Sequence, residues 1–230
     1  MSPKRGRGAV VAIDGPAGAG KSTAARRVAE RLEYTLVDTG AMYRAVALEA
    51  TERGLSYDDG PALGALARGL DLRFEPGPDG APRLVLDGVD RSEAIRTPAI
   101  SAAASQVSRH PEVRDALLGL QRKVGAQGGV VLEGRDIGTV VFPDAEVKVF
   151  LTASAEERAR RRVAELEAKG HDVDYDTTLD QIRSRDALDE GREVAPLKPA
   201  ADAVHLDSTA LGIDEVVEWI VALALARQGS

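Results

Sequence analysis

The segment Gly15-Pro-Ala-Gly-Ala-Gly20-Lys21-Ser22 matches the pattern G-x-x-x-x-G-K-[ST]. Glycines at that spacing let successive backbone N–H groups converge on phosphate oxygens. A helix opening at the end of the loop adds the positive end of its dipole. The lysine can then reach a transferred phosphoryl group, and the serine offers a hydroxyl to Mg²⁺. Nucleoside triphosphate binding is the expectation. A switch GTPase would also need a base-reading tetrapeptide such as N-K-x-D, and the chain has none. A mechanical ATPase would carry an acidic strand end that activates water. Its nearest counterpart, Val130-Val-Leu-Glu133, runs straight into Gly134-Arg135-Asp136. An arginine there suits an anionic second substrate better than a hydrolytic water, which points to a small-molecule kinase.

Several arginines fall at loops or element ends and could hold that second anion. Arg44 closes Asp38-Thr-Gly-Ala-Met-Tyr-Arg44, and Arg135 follows the strand-like run. Arg185, Asp189 and Arg192 stand at i, i+4 and i+7, the spacing of one helix face. Arginine suits phosphate because its planar fork donates two parallel hydrogen bonds and stays charged. Arg158, Arg160, Arg161 and Arg162 cover too many faces for all of them to bind. The three histidines, His110, His171 and His205, have no metal-ligand spacing.

Taken in order, the phosphate loop, Asp38–Arg44, Ala104-Ser-Gln-Val107, Glu133-Gly-Arg-Asp-Ile-Gly-Thr-Val-Val-Phe-Pro-Asp144 and Val194-Ala-Pro-Leu197 resemble the bacterial cytidylate kinases across nearly the whole chain. The resemblance implies γ-phosphoryl transfer from Mg-ATP to CMP or dCMP, in pyrimidine nucleotide metabolism. It implies that Gly15, Pro16, Ala17, Gly18, Ala19, Gly20, Lys21, Ser22 and Thr23 wrap the ATP phosphates, with Ser22 on Mg²⁺. One of Arg158, Arg161 or Arg162 would lie against the adenine, with Arg161 the assigned position. Arg44, Arg135 and Arg192 would hold the acceptor's phosphate, with Arg185 nearby and Asp189 facing the sugar. Ser105, Arg114 and Asp136 would read the base, and Thr39 and Arg96 would line the same pocket. Lys21, Arg135, Arg185 and Arg192 form the implied catalytic set. The family more often has Asp where this chain has Glu133, and the longer carboxylate would alter how Arg135 is ordered.

The residue types suit cytosine. An arginine fork can donate to its N3 and O2, while a carboxylate and a hydroxyl accept from its amino group. Uracil would set donor against donor and acceptor against carboxylate. No general base is needed, because a phosphate oxygen of CMP is already ionised. The rival readings are a kinase of the same fold acting on UMP, dTMP or shikimate, and a slowly hydrolysing nucleotide switch.

These side chains need a scaffold. Ala9–Asp14, Leu36–Asp38, Val130–Glu133, Val147–Leu151 and Ala203–Asp207 read as short buried strands. Ser22–Leu32, Ala41–Arg53, Ala155–Lys169 and Ile213–Arg227 read as helices between or after them. Alternating strands and helices predict βαβ units and a parallel sheet covered on both faces, and the resemblance implies a three-layer α/β P-loop kinase core around five parallel strands. Asp71–Phe74 and Arg83–Leu86 read as a β-hairpin joined by Glu75–Pro82, followed by helices over Ala99–Ser108 and Glu112–Ala126. The expected organisation is a basic tail (1–8) and one kinase domain (9–230). Its core comprises 9–55, 110–157 and 191–230, with an acceptor-nucleotide insertion at about 56–109. The resemblance implies a helical lid at about 158–190, with His171–Asp176 as its inter-helix loop.

The 230 residues are 43% hydrophobic but only 3% aromatic, so the core must be mostly Ala, Val, Leu and Ile. With 30 basic and 37 acidic residues the net charge is −7, the opposite of a nucleic-acid-binding surface. A bound anion must therefore be met by a local pocket. The absence of cysteine excludes disulfides and thiol chemistry. The tail with Lys4, Arg5 and Arg7 lacks a signal peptide's apolar stretch, and Ile220–Ala226 is far short of the ~20 residues that span a bilayer. A cytoplasmic monomer without membrane or nucleic-acid partners is expected.

Overall fold

The computed structural model describes residues 8–77, 82–168 and 170–228. The basic tail through residue 7, the tip of the hairpin connector at 78–81, and Lys169 lie outside the described residues.

In chain order the first elements are β1 (Val10–Asp14), α1 (Lys21–Leu32), β2 (Thr35–Asp38), α2 (Thr39–Glu52) and α3 (Gly60–Gly69). Then come β3 (Leu72–Pro76), β4 (Pro82–Leu86), β5 (Val89–Asp90), α4 (Pro98–Val107) and α5 (Pro111–Gly125). The chain finishes with β6 (Val130–Gly134), β7 (Val147–Thr152), α6 (Ala155–Ala168), α7 (Tyr175–Glu190), β8 (Val204–Asp207) and α8 (Ile213–Gln228). The large sheet has five parallel strands in the order β2-β6-β1-β7-β8, as the strand–helix alternation requires.

Its central strands are buried on both faces, which is why they read as unbroken apolar runs. Alternation along the pleat still sorts them. Val10, Ala12, Val130 and Leu132 pack toward α2–α5, while Val11, Ile13 and Val131 pack toward α1 and α8. The two helical layers thus cover opposite faces of one sheet. In the register, Asp14 of β1 lies beside Gly134 and Asp38 of β2 beside Glu133. The carboxyl ends of three neighbouring strands therefore meet at one edge, where open α/β sheets bind ligands.

Residues 56–109 add to the α2 side of this core. Leu72, Leu84 and Leu86 of a small antiparallel sheet, β3-β4-β5, join the cluster that includes Val46 and Leu63. The sequence predicts only a hairpin here, and β5 adds a two-residue third strand. Helix α3 occupies most of residues 57–70, a stretch for which the sequence predicts no element. Gly60 and Gly64 weaken the helical signal of α3, but packing explains Gly64. A Cβ on it would stand 2.5 Å from Cβ of Glu112 on α5.

Two further expectations shift. Asp38 accepts the N–H of Ala41 at 3.0 Å as an N-cap, so α2 begins at Thr39, not Ala41. Asp174 caps α7 in the same way through Thr177 N at 2.7 Å, so the loop expected over 171–176 ends before Tyr175.

Candidate active site

The loop from Gly15 to Gly20 turns the end of β1 into α1. Gly15 has φ +148°, and a Cβ there would lie 2.0 Å from the Leu151 carbonyl oxygen, so no other residue fits. Gly20 is the N-cap of α1 and supplies no side-chain cap, which leaves the first N–H groups of the helix for an external anion. The Lys21 side chain is buried, and its Nζ donates to Pro16 O at 2.6 Å. Burial, reinforced by the nearby Arg135 guanidinium, drives its pKa well below the usual lysine range. An ammonium held this way is favoured by a phosphate close at hand.

Across the cleft stand the arginines expected to hold the second anion. Arg44 Nη2 pairs with Asp38 at 2.6 Å. Arg135 Nε and Arg192 Nη2 grip opposite oxygens of Asp189, at 2.9 and 2.8 Å. Burial alone would push Asp189 upward, yet Arg135 and Arg192 hold its pKa below the ordinary carboxylate value. Arg185 is held differently. Its Nε is buried without a hydrogen-bond partner, as is Arg44 Nε. Burial and the neighbouring Arg135 lower its pKa to about 10. Two orphaned guanidinium nitrogens in one cleft mark a place built to receive an anionic ligand.

The far end of the cleft carries the residues expected to read a base. Arg114, on α5, is buried with its guanidinium 5.4 Å from the centre of the Tyr43 ring. It donates to Ser108 O at 3.1 Å and to the Asp136 carboxylate. Ser105 faces the same space from α4, its hydroxyl only 3.5 Å from Ser101 O. The whole cleft measures about 230 Å³ and runs from Ala17 and Lys21 to Arg114 and Asp136.

Thr39 lines the cleft too, but its hydroxyl is engaged with Glu133 O at 2.7 Å. Arg96 does not join these residues. It pairs with Glu93 at 3.0 Å on the surface, in the short turn Ala94–Arg96. Arg192 reaches the cleft by a route the helical spacing had not indicated. The helix α7 stops at Glu190, and Arg192 turns back from the following loop, its Nε 3.2 Å from Asp189 O. Thr23 is exposed in the first turn of α1. Arg161 donates to Ser208 O at 2.7 Å, and its Nη1 would lie 3.8 Å from a Cβ on Gly20, so it flanks the outer edge of the phosphate loop. Arg162 turns to Glu165 at 2.8 Å.

Glu133 lies at the Lys21 end of the cleft. Ser22 Oγ donates to Glu133 Oε2 at 2.7 Å, and burial together with nearby Asp38 raises the Glu133 pKa to about 7. The pair offers only hard oxygen donors, the kind Mg²⁺ takes. Among the described residues no cluster of three or more His, Cys, Asp or Glu could hold an ion by itself. Most of the ligands would have to come from phosphates and water, as is usual for this ion.

Asp14, at the end of β1, belongs to none of the motifs singled out in the sequence. Its carboxylate accepts Ile137 N at 2.8 Å and Gly138 N at 2.7 Å, which fixes the π-helical turn Ile137–Val141 that follows Asp136. An acidic residue closing an otherwise apolar buried strand was the available signal. Burial raises its pKa to about 6 despite those two bonds. A folded pKa above the unfolded value gives stability that is full below the unfolded pKa and is lost as pH rises through 6. Between pH 4.5 and 6.5 the ligand-free protein is therefore expected to lose about 2 kcal/mol from this group. Urea titrations across that range check it: Asp14→Asn should flatten the slope, and an unchanged slope would remove Asp14 as its source.

The cytidylate kinase family model matches residues 11–226. A cytidylate kinase from Syntrophotalea carbinolica is 55% identical over 219 residues, 95% of this chain and 93% of that protein. One from Geobacter sp. strain M21 is 56% identical over the same shares. Among solved structures, an uncharacterized protein from Eubacterium ventriosum aligns over 95% of this chain and 98% of its own with a TM-score of 0.52 at 13% identity, a likeness of fold alone. A match spanning almost every element that lines the cleft places this chain in the cytidylate kinase family.

Proposed function

We propose that the cleft holds ATP and CMP or dCMP head to tail, and that the chain transfers the γ-phosphoryl group between them. An oxygen of the acceptor's phosphate attacks the γ-phosphorus, the bond to the β,γ-bridging oxygen breaks, and ADP leaves with that electron pair. The observation that carries this reading is the facing of two anion cradles in one cleft, the Lys21 loop on one side and Arg44, Arg135, Arg185 and Arg192 on the other.

The work of the chain is alignment, charge neutralisation and exclusion of water. Gly15–Thr23 wraps the ATP phosphates, and Lys21 follows the γ-phosphoryl group as it moves. Arg161 lies toward the adenosine side. Arg44, Arg135 and Arg192 orient the acceptor's phosphate, Arg185 meets the charge that develops between the substrates, and Asp189 holds Arg135 and Arg192 while facing the sugar. Arg114, Asp136 and Ser105 read cytosine, with Thr39 shaping the pocket wall. Arg96, solvent-exposed in this conformation, contributes only if its segment folds inward. Ser22, with Glu133 behind it, would hold Mg²⁺, which supplies neutralising charge to the phosphates.

The same reading divides the chain into a core (9–55, 110–157 and 191–230), an acceptor-nucleotide insertion (56–109) and a lid (158–190). A single chain supplies both cradles, which supports a monomer. Its polyanionic substrates are those of the cytoplasm.

ADP release measured with a coupled enzyme, over a panel of nucleoside monophosphates and with one donor, tests the reaction. Turnover should require the acceptor and be fastest with CMP or dCMP. ADP release at the same rate without acceptor would make the protein a nucleotide hydrolase instead.

A further inference from the structure

No step above uses Arg158, yet it is one of the most enclosed charges in the protein, only 5% exposed. It stands in the first turn of α6, where three other segments meet. Its Nε donates to Ala153 O at 2.9 Å, just after β7. Its Nη1 donates to Ala17 O, in the phosphate loop, at 3.0 Å. The two terminal nitrogens grip both carboxylate oxygens of Asp186 on α7, at 3.0 and 2.6 Å. The stem closes against the loop as well, since a Cβ on Gly18 would stand 3.2 Å from Cβ of Arg158. Four of five guanidinium donors are thus spent inside the chain, which takes Arg158 out of the set of adenine contacts.

Its partner is well placed to transmit position. Asp186 directly follows Arg185, whose guanidinium enters the cleft. One turn further along the same helix, Asp189 holds Arg135 and Arg192. We infer that Arg158 and Asp186 are a positioning pair that sets the C-terminal half of α7, with Arg185 and Asp189, in register with the phosphate loop. The inference rests on the ATP–CMP reading of the cleft. A bidentate fork fixes both distance and angle, which a lysine at the same place cannot do. In-line transfer is sensitive to such placement, a 1 Å error costing about 10²-fold in rate.

The test is steady-state kinetics of Arg158→Lys and Asp186→Asn beside the unaltered enzyme. Thermal midpoints and ATP binding without acceptor are measured for each. Both variants should lose about tenfold or more in kcat while KM for CMP and ATP stays within about threefold. The double variant should be no worse than the poorer single one, as expected of residues acting as a unit. Asp186→Asn keeps an acceptor oxygen and decides the matter if Arg158→Lys does not fold. A folded variant with kcat within about twofold of normal overturns the inference. So does a loss confined to KM for ATP, which would put Arg158 on the nucleotide. Failure of the underlying reading is distinguishable, because it appears as missing CMP-dependent turnover in the unaltered enzyme.

Discussion

Replacing Lys21 with alanine is expected to lower CDP formation by about 10³-fold at saturating substrate, the scale of losing one pre-organised charge from a phosphoryl-transfer site. The ammonium is buried, bonded to the loop's own Pro16 O, and destabilised by Arg135 and Arg185 across the cleft. An ammonium kept in so unfavourable a setting is explained by a phosphate that arrives between it and those arginines. The same repulsion predicts how the variant should fold. Removing one cation from a cluster of like charges relieves strain, so the thermal midpoint of Lys21→Ala should be retained. Lys21→Met, which keeps most of the volume, separates loss of charge from loss of packing. CDP formation at the normal rate by either variant would end the two-cradle account.

The second large effect concerns the base. The unaltered enzyme should prefer CMP to UMP by on the order of 10² in kcat/KM, since each buried mispaired group costs about 1–3 kcal/mol. Arg114 donates both to the Asp136 carboxylate and to Ser108 O, so neither member of the pair can turn to suit uracil without breaking a buried contact. Asp136→Asn presents an amide donor where the carboxylate accepted. CMP turnover should fall by about 10², and the CMP-to-UMP ratio should narrow toward unity. The ratio is measured within one variant, so any loss of folded protein cancels. The substitution also strips a buried guanidinium of its counter-charge, and a lower thermal midpoint should accompany it. Equal rates with CMP and UMP in the unaltered enzyme would remove the base-reading role of this pair.

Glu133 shows why composition of a motif and geometry of a site must be considered together. The longer carboxylate was expected to alter the ordering of Arg135. In the structure it reaches Ser22 Oγ, while Arg135 is held from the other side by Asp189. The ordering of Arg135 thus depends on α7, more than fifty residues downstream.

What could be known without the fold was what is contiguous. The phosphate loop, its flanking strand and helix, and the five-strand alternation all rest on patterns within a few residues, where glycine geometry, β-branching and helical periodicity act directly. Folding alone brings Arg44, Arg114, Arg135, Arg185 and Arg192 around one cleft, because distances between residues far apart in sequence are set by packing. It alone leaves Arg96 on the surface, carries Arg192 past the end of α7, and buries Asp14 and Arg158 as ties between segments. A charged residue in a sequence looks the same whether it will face solvent, ligand or scaffold. Which of these it meets is decided only when distant backbone groups, such as Ala17 O and Gly138 N, arrive beside it.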